Sequence, residues 1–446
     1  MAPATEEDKM KKEHNKKENA RSLALITLKK CEASGQYSNI ALDLALNKSE
    51  LSSSDRALAT TLFYGVIEKK ITLDYVISRL SSRAIEEIDR DTLALLRMGI
   101  YQLRFLDRIP DHAAINETVS LASAKTKGFV NAVLRSYTRQ AAEIELPSEK
   151  DGEVYSLSVR YSVCESLAKK MCDTFGYEKS RSILSSLEGK DAITLRTNTL
   201  KISRDELIEK VGGDKTPLSP YGIKTTGQVS ALCGFDDGFF YVQDEASQLC
   251  AMALGAEEDE VVVDTCSCPG SKSFGIALDM KNRGEIYSFD LHANKLSLVE
   301  SMAKRLSINI IKTEARDARK PREELLGKVD RVLCDVPCSG FGVLKKKPEL
   351  RYKDPQTSVA LPDIQYDILE NSVRYLKKGG VLVYSTCTIF PEENEKNVEK
   401  FLSAHKEFSL CPFSVGAFSC DSGMITLLPD EHGTDGFFMA KLIKNG

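Results

Sequence analysis

Val261-Val-Val-Asp-Thr-Cys-Ser-Cys-Pro-Gly-Ser-Lys272 is the stretch whose reading decides the fold. Three β-branched apolar residues in an unbroken run, closed by an acid, read as a strand buried on both faces. Small residues and a Pro-Gly pair turn the chain, and a helix is expected from Ser271. Working outward, the alternation repeats. Glu285–Asp290 reads as a second strand, Ala293–Leu306 as a helix, Ile308–Thr313 as a third strand and Arg331–Asp335 as a fourth. A helix over Leu361–Leu376 is expected to end at Lys377-Lys-Gly-Gly380, with cations in its last turn and glycines beyond. Val381–Ser385 is a fifth strand. Strands alternating with helices imply a parallel, doubly wound α/β sheet of Rossmann-like type. Met424–Leu428 and Gly436–Ile443 read as a closing antiparallel pair.

Open α/β sheets bind ligands beyond the carboxyl ends of their strands. Asp264, Asp290 and Asp335 end three of those strands, and Asp317 follows the third. An acid about 20 residues beyond the loop glycine, as Asp290 is after Gly270, can accept both hydroxyls of a ribose. Asp317 is placed to bond an adenine amino group. The loop lacks both GxGxxG and GxxxxGK, which disfavours a dinucleotide or a triphosphate. A short, partly apolar loop suits a nucleoside without phosphates, such as S-adenosylmethionine. The alternative is a strand–turn–helix joint with no ligand.

Upstream the periodicity changes. Leu73, Val76, Ile77 and Leu80 recur at helical spacing, as do Val130, Val133, Leu134 and Tyr137. Leu93, Leu96, Ile100 and Leu103 also share a face. Residues 19–142 are therefore read as an all-α bundle, after a polar tail over residues 1–18 expected to be disordered. Pro147 and Gly152 mark a linker. Residues 153–238 read as a small α+β middle domain, with helices over Ser162–Phe175, Glu178–Leu187 and Ser203–Val211 and a strand over Ala192–Thr197. Residues 239–446 form the α/β domain.

The chain has 446 residues, 42% of them hydrophobic and 28% charged, the composition of an ordinary folded protein. No apolar run approaches the roughly 20 residues a membrane span needs. The N-terminus has no apolar core of the secretory kind. Twelve cysteines with no secretion signal read as reduced thiols in a cytoplasm, and no CxxC pair suggests a metal site. With 61 Lys+Arg against 65 Asp+Glu, the net charge is −4. Residues 1–140 nevertheless hold 22 Lys+Arg against 18 Asp+Glu, a hint that this part meets a polyanion.

Two further elements carry chemistry. Cys334-Asp-Val-Pro-Cys338-Ser-Gly and Tyr384-Ser-Thr-Cys387-Thr each place a thiol just beyond a strand end, on the edge where the ligand loop lies. Most cysteines are inert packing residues. Two at the ligand edge of one sheet fit covalent catalysis. A thiolate adding to carbon 6 of cytosine breaks aromaticity and makes carbon 5 nucleophilic enough to take a methyl group from a sulfonium. Asp335 could hydrogen-bond the base. Spacing alone leaves open which thiol attacks.

Taken together, these motifs resemble the Sun/RsmB family of ribosomal RNA cytosine-5 methyltransferases. Phe63-Tyr-Gly-Val66 and Gly128–Arg135 look like the NusB-type RNA-binding domain of these enzymes. Val242–Gln248 looks like the lead into the catalytic fold. Asp335–Val343 matches D-A-P-C-S-x-x-G-V, and Thr386–Glu395 matches T-C-S-x-x-P-E-E-N-E. The loop departs from D-x-C-A-A-P-G-G-K-T in having Cys268 for Ala and Ser271 for Gly, both small. The resemblance implies Cys387 as the nucleophile and Cys338 as the group that assists product release. It implies S-adenosylmethionine as cofactor, with Cys266, Ser267, Cys268, Pro269, Gly270, Ser271 and Lys272 on its methionine side. Asp290 is expected on the ribose, Asp317 on the adenine, and Asp335 at both cofactor and cytosine. The expected partner is small-subunit ribosomal RNA, met by a monomer through Lys125, Lys127, Arg135, Lys345, Lys346 and Lys347. Two other readings stay open at this point: a non-catalytic RNA-binding or antitermination protein, and a related enzyme acting on transfer RNA.

Overall fold

The computed structural model describes residues 19–34, 37–189 and 192–445. The tail expected over residues 1–18 lies outside the described residues. The chain forms two compact units. One comprises residues up to Leu184 together with Lys346–Asp354, and the other comprises Ser185–Lys345 and Pro355–Gly446.

The first unit is helical. Helices α1 (Ala20–Ser34), α2 (Ser38–Lys48), α3 (Ser53–Glu68), α4 (Lys70–Leu80), α5 (Arg90–Phe105), α6 (Asp111–Leu121) and α7 (Lys127–Gln140) pack around one apolar core. Their starts follow local chemistry: the Ser52 hydroxyl accepts from the Asp55 amide to open α3, and the Asp89 carboxylate accepts from the Thr92 amide to open α5. Most of the helical rows read from sequence are buried: Leu73, Val76 and Ile77 on α4, Leu93, Leu96 and Ile100 on α5, and Val130, Val133, Leu134 and Tyr137 on α7, while Leu80 and Leu103 at the row ends are half-buried.

Helices α8 (Glu153–Tyr161), α9 (Glu165–Phe175) and α10 (Tyr177–Ser186) follow. The sequence reading put them in a separate middle domain, but they belong to the helical unit up to Leu184. The reason is packing. The Thr72 hydroxyl donates to the Val159 carbonyl at 2.6 Å, and the Ile71 amide donates to the Ser162 hydroxyl at 2.8 Å. From the remainder of the expected middle domain, strands β1 (Ile193–Thr197), β2 (Asp214–Lys215) and β3 (Gly222–Thr225) with helix α11 (Arg204–Val211) belong to the second unit, where β4 (Phe240–Val242), just past the expected boundary, completes an antiparallel sheet in order β2-β3-β1-β4.

In that second unit, α12 (Glu245–Ala253) leads into β5 (Val261–Asp264), α13 (Ser271–Asp279), β6 (Glu285–Asp290), α14 (Ala293–Leu306), β7 (Ile311–Ala315) and β8 (Val329–Asp335). Then come α15 (Leu361–Ser372), β9 (Leu376–Thr386), α16 (Glu395–Ala404), β10 (Phe408–Leu410), a hairpin of β11 (Phe413–Val415) and β12 (Phe418–Cys420), β13 (Met424–Leu427), a short α17 (Pro429–His432) and β14 (Phe437–Lys444). The main sheet runs β10-β14-β9-β8-β5-β6-β7, with β13 on β14. Strands β5 to β9 are parallel, and β14 returns antiparallel to β9. Alternate side chains face two cores. Val262, Leu333 and Val383 join α12, α13 and α14, while Val263, Val332, Cys334, Leu382 and Tyr384 join α15 and α16.

Several boundaries differ from the sequence reading; the helix expected over Leu361–Leu376 ends at Ser372, and two other differences have a clear physical reason. The third strand starts at Ile311, not Ile308. Ser307 takes a left-handed conformation (φ 61°) and the Ile308 amide bonds back to the Ala303 carbonyl at 2.9 Å, so buried Ile308 seals the end of α14. Lys377–Gly380 does not cap a helix. The fifth strand begins at Leu376, and these residues make an irregularity in the β8–β9 ladder, with Gly379 at φ +74°. Lys377 pairs with Asp330 there.

Candidate active site

The strand order reverses between β5 and β8: β6 and β7 lie to one side of β5, β8 and β9 to the other. A crevice at such a switch point is the expected ligand site of an open α/β sheet. The β5–α13 loop opens there. The Ser267 amide donates to the Phe289 carbonyl at 2.7 Å, and the Gly270 amide donates to the Ser267 carbonyl at 2.6 Å. Gly270 sits at φ +101°, and a side chain there would press on the Phe274 ring at 2.5 Å. The Ser267 hydroxyl is buried with no hydrogen-bond partner. An orphaned polar atom in a tight, small-residue loop fits a polar ligand group. Asp264 is fully enclosed, accepting from the Ser273 hydroxyl at 2.5 Å and the Cys266 amide at 3.3 Å. Burial pushes its carboxyl up to about 7, against those hydrogen bonds.

Asp290 ends β6 half-buried, with one oxygen accepting from the His292 amide at 2.8 Å. Asp317, two residues past β7, is gripped by Arg319 through Nε at 3.0 Å and Nη2 at 2.9 Å. That hydrogen bond, above all, holds its carboxyl below the usual range.

Asp335 meets two groups. Lys272 Nζ lies 2.7 Å from one oxygen, and the Ser385 hydroxyl donates to the other at 2.7 Å. Burial works against the Lys272 charge, but Asp335 outweighs it and holds the ammonium well above its ordinary range. Lys272 Nζ also stands 5.0 Å from the centre of the Phe437 ring. Beside this pair the two thiols meet: Cys338 Sγ is 3.0 Å from Cys387 Sγ, and the Cys387 amide donates to Cys338 Sγ at 3.2 Å. Its hydrogen bond to Cys387, then burial, push the Cys338 thiol well up.

Residues the sequence reading did not single out hold the two cysteine loops. Buried Glu393 accepts from the Ser339 amide at 2.9 Å and from Gln365 Nε2 at 2.8 Å. Asn394 accepts from the Thr386 hydroxyl at 2.6 Å and donates to the Thr388 carbonyl at 3.0 Å. Gly342 donates to the Cys387 carbonyl at 2.9 Å and accepts from the Gly436 amide at 2.9 Å. The signal is an acid-amide run directly after Pro391, a few residues beyond Cys387.

The structure brings together Asp335, Lys272, Cys338 and Cys387, and lines Cys266–Lys272, Asp290 and Asp317 along the same sheet edge. Lys125, Lys127 and Arg135 are exposed at and on α7, where Arg135 Nε bonds Asn131 at 3.1 Å. Lys345 is half-buried and lies in the second unit, whereas Lys346 and Lys347 are exposed and lie in the first. Cys334 is a buried packing residue. Among the described residues no group of three or more His, Cys, Asp or Glu side chains is placed to hold a metal ion. No helix among them is long and apolar enough to cross a membrane.

Comparison with known proteins bears on this edge. Residues 251–443 match the 16S rRNA methyltransferase RsmB/F model, and residues 18–139 match the NusB family. The chain is 38% identical to "Probable ribosomal RNA small subunit methyltransferase B" of Bacillus subtilis, covering 97% of this chain and 100% of that one. The chain belongs to the RsmB/F family. Members of this family are RNA methyltransferases, and this chain is a small-subunit ribosomal RNA methyltransferase with an N-terminal NusB domain. Among solved structures, PH0851 superposes with a TM-score of 0.75 at 28% identity, over 94% of this chain and 97% of that one. NSun6 from Pyrococcus horikoshii with SFG, an S-adenosylmethionine analogue, gives 0.57 at 26% identity, over 62% and 97%.

Proposed function

We propose that this enzyme methylates carbon 5 of a cytosine in 16S ribosomal RNA, through a covalent bond from Cys387 to carbon 6 of the base. The observation that carries this reading is the pair of thiols 3.0 Å apart beside the Lys272–Asp335 ion pair. S-adenosylmethionine supplies the electrophilic methyl group on its sulfonium. The Ser267 hydroxyl and the Cys266–Lys272 loop receive its methionine side, Asp290 the ribose hydroxyls, and Asp317 the adenine amino group. The SFG in the NSun6 structure supports a cofactor of this class.

The Cys387 thiolate adds to carbon 6, and the electron pair moves to carbon 5, which takes the methyl group. The carbon 5 proton then leaves to a base, the carbon 5–carbon 6 double bond re-forms, and the thiolate departs. Asp335 accepts from the cytosine amino edge and favours the adduct. Its charge is fixed by Lys272, and its orientation by Ser385. Cys338 stands next to the sulfur that must leave, 3.0 Å away, and it assists release. Lys125, Lys127, Arg135 and Lys345–Lys347 contact RNA phosphates. The target base is single-stranded or flipped out before Cys387 reaches it. The enzyme works in the cytoplasm, as a monomer and without a metal.

The test is methyl transfer from labelled S-adenosylmethionine to small-subunit ribosomal RNA. Cys387→Ala is expected to abolish it. Normal turnover in Cys387→Ala, with loss in Cys338→Ala, reverses the assignment. Bisulfite sequencing of ribosomal RNA from a deletion strain names the base, and an unchanged cytosine pattern contradicts the carbon 5 reading.

A further inference from the structure

Helix α2 is preceded by Tyr37, whose side chain is 56% exposed, and Ile40 and Leu44 follow it at 44% and 50%. Steps of three and four residues put all three in one row on the helix. Such a row of large apolar side chains contributes little to the core and marks a contact surface. A cation completes it. Lys347 Nζ lies 5.7 Å from the centre of the Tyr37 ring.

Lys347 arrives from far along the chain and is held firmly. The Ser38 hydroxyl donates to Glu349 at 2.7 Å across a separation of 311 residues. Arg351 is buried; its Nη1 donates to the Tyr161 carbonyl at 3.0 Å, and its own carbonyl accepts from the Cys164 amide at 2.8 Å. The Tyr352 phenol meets the Ser162 hydroxyl at 2.9 Å, the Lys70 amide at 3.2 Å and the Ile67 carbonyl. Residues 349–352 are thus built into the helical unit, and exposed Lys347 before them is carried to the edge of the Tyr37 row. Glu349 accepts from Ser38 through one oxygen, and Glu32 is paired with Arg97 at 3.0 Å and Lys70 at 3.3 Å. Asp43 is the one acid on α2.

We propose that Tyr37, with Lys347, is a docking site for single-stranded RNA in which an unpaired base stacks on the Tyr37 ring. Lys347 takes a flanking phosphate, and Ile40 and Leu44 extend the apolar floor. Aromatic rings bracketed by cations are the recurring recipe for unpaired nucleotides, because every base has a stacking face and every linkage a charge. This assignment rests on the RNA-methylating reading above and adds to it a composite site. Its residues come from the NusB segment and from the loop after the Pro-Cys element.

The chain contains no tryptophan, so Tyr37→Trp places a single indole at the site. With full-length protein, a short unstructured oligoribonucleotide is expected to quench that fluorescence saturably, and a base-paired duplex of equal length to do so weakly. Tyr37→Ala should weaken oligonucleotide binding about tenfold, and Tyr37→Phe should restore it. Lys347→Gln should lower the salt slope of binding by about one. Methyl transfer measured on the same variants separates the two claims. Indole emission unmoved by RNA that binds and is methylated overturns the site and leaves the reaction standing. Absence of both RNA binding and methylation overturns both. Quenching that tracks protein concentration without RNA assigns the patch to a second copy and overturns the proposal.

Discussion

Replacing Lys272 by Met tests the electrostatic centre of the site. The side chains of Lys272 and Asp335 are 12% and 26% exposed, so their 2.7 Å pair is largely out of water. Removing one partner of a buried pair costs about 3–5 kcal/mol, because the other charge is left uncompensated. Asp335 keeps the Ser385 hydroxyl and some solvent, which places Lys272→Met near the lower end, about 3 kcal/mol. For a unit of this size each kcal/mol lowers Tm by about 2–4 °C, giving a fall of about 6–12 °C. Calorimetry should read it. Adding Asp335→Asn removes the stranded charge, so the double variant should be more stable than additivity predicts, by at least about 1 kcal/mol. The sign with pH follows from the direction of the shift. A lysine held above its ordinary value contributes stability that is complete below its unfolded-state value and is lost as pH rises through the folded one. The Lys272→Met deficit should therefore be constant through neutral pH and shrink only in strong alkali. A Tm fall under about 2 °C, or strict additivity with Asp335→Asn, refutes the reasoning.

Gly342→Ala drives a methyl group into the backbone of Gly436 and towards the Cys387 carbonyl, so stability should fall by about 1–3 kcal/mol together with methyl transfer. A variant matching the parent in both, by thermal melt and turnover, would remove that contact from the account. Asp264 is held up to about 7 by burial, so the folded protein binds an extra proton between its unfolded value and neutrality. Stability should therefore decline as pH rises from about 4 to 7, and Asp264→Asn should flatten that decline in urea titrations. Neutralising Lys345–Lys347 should flatten the salt dependence of RNA binding. An unchanged slope removes these residues from the interface.

The parallel core was legible because its strands are unbroken apolar runs that end in acids at one edge. The paired halves of the site were legible for the same reason, since a thiol just beyond β8 and another beyond β9 must lie near each other in neighbouring parallel strands. Local pattern gave out where tertiary contacts decide. Ile308 has the side chain of a strand residue but seals α14. Lys377–Gly380 has the composition of a helix cap but sits in a strand pair, with Lys377 drawn to Asp330. Helix α8 carries no mark of the unit it joins until Thr72 and Ile71 reach its C-terminal end. Nor does Arg351, one of a basic stretch, look like a buried residue, and its neighbour Tyr352 gives no sign of bonding three separate segments. The bracing of the cysteine loops by Glu393 and Asn394 depends on contacts with Gln365 and with Thr386 and Thr388 that spacing does not reveal.

The central claim is that the Cys387 sulfur bonds the cytosine while Cys338 releases it. Cys338→Ala protein incubated with S-adenosylmethionine and small-subunit ribosomal RNA, digested and analysed by peptide mass spectrometry, tests it directly. The account predicts a denaturation-resistant adduct carrying a methylated cytidine on the peptide that contains Cys387. No adduct, or one attached to any other residue, would contradict it.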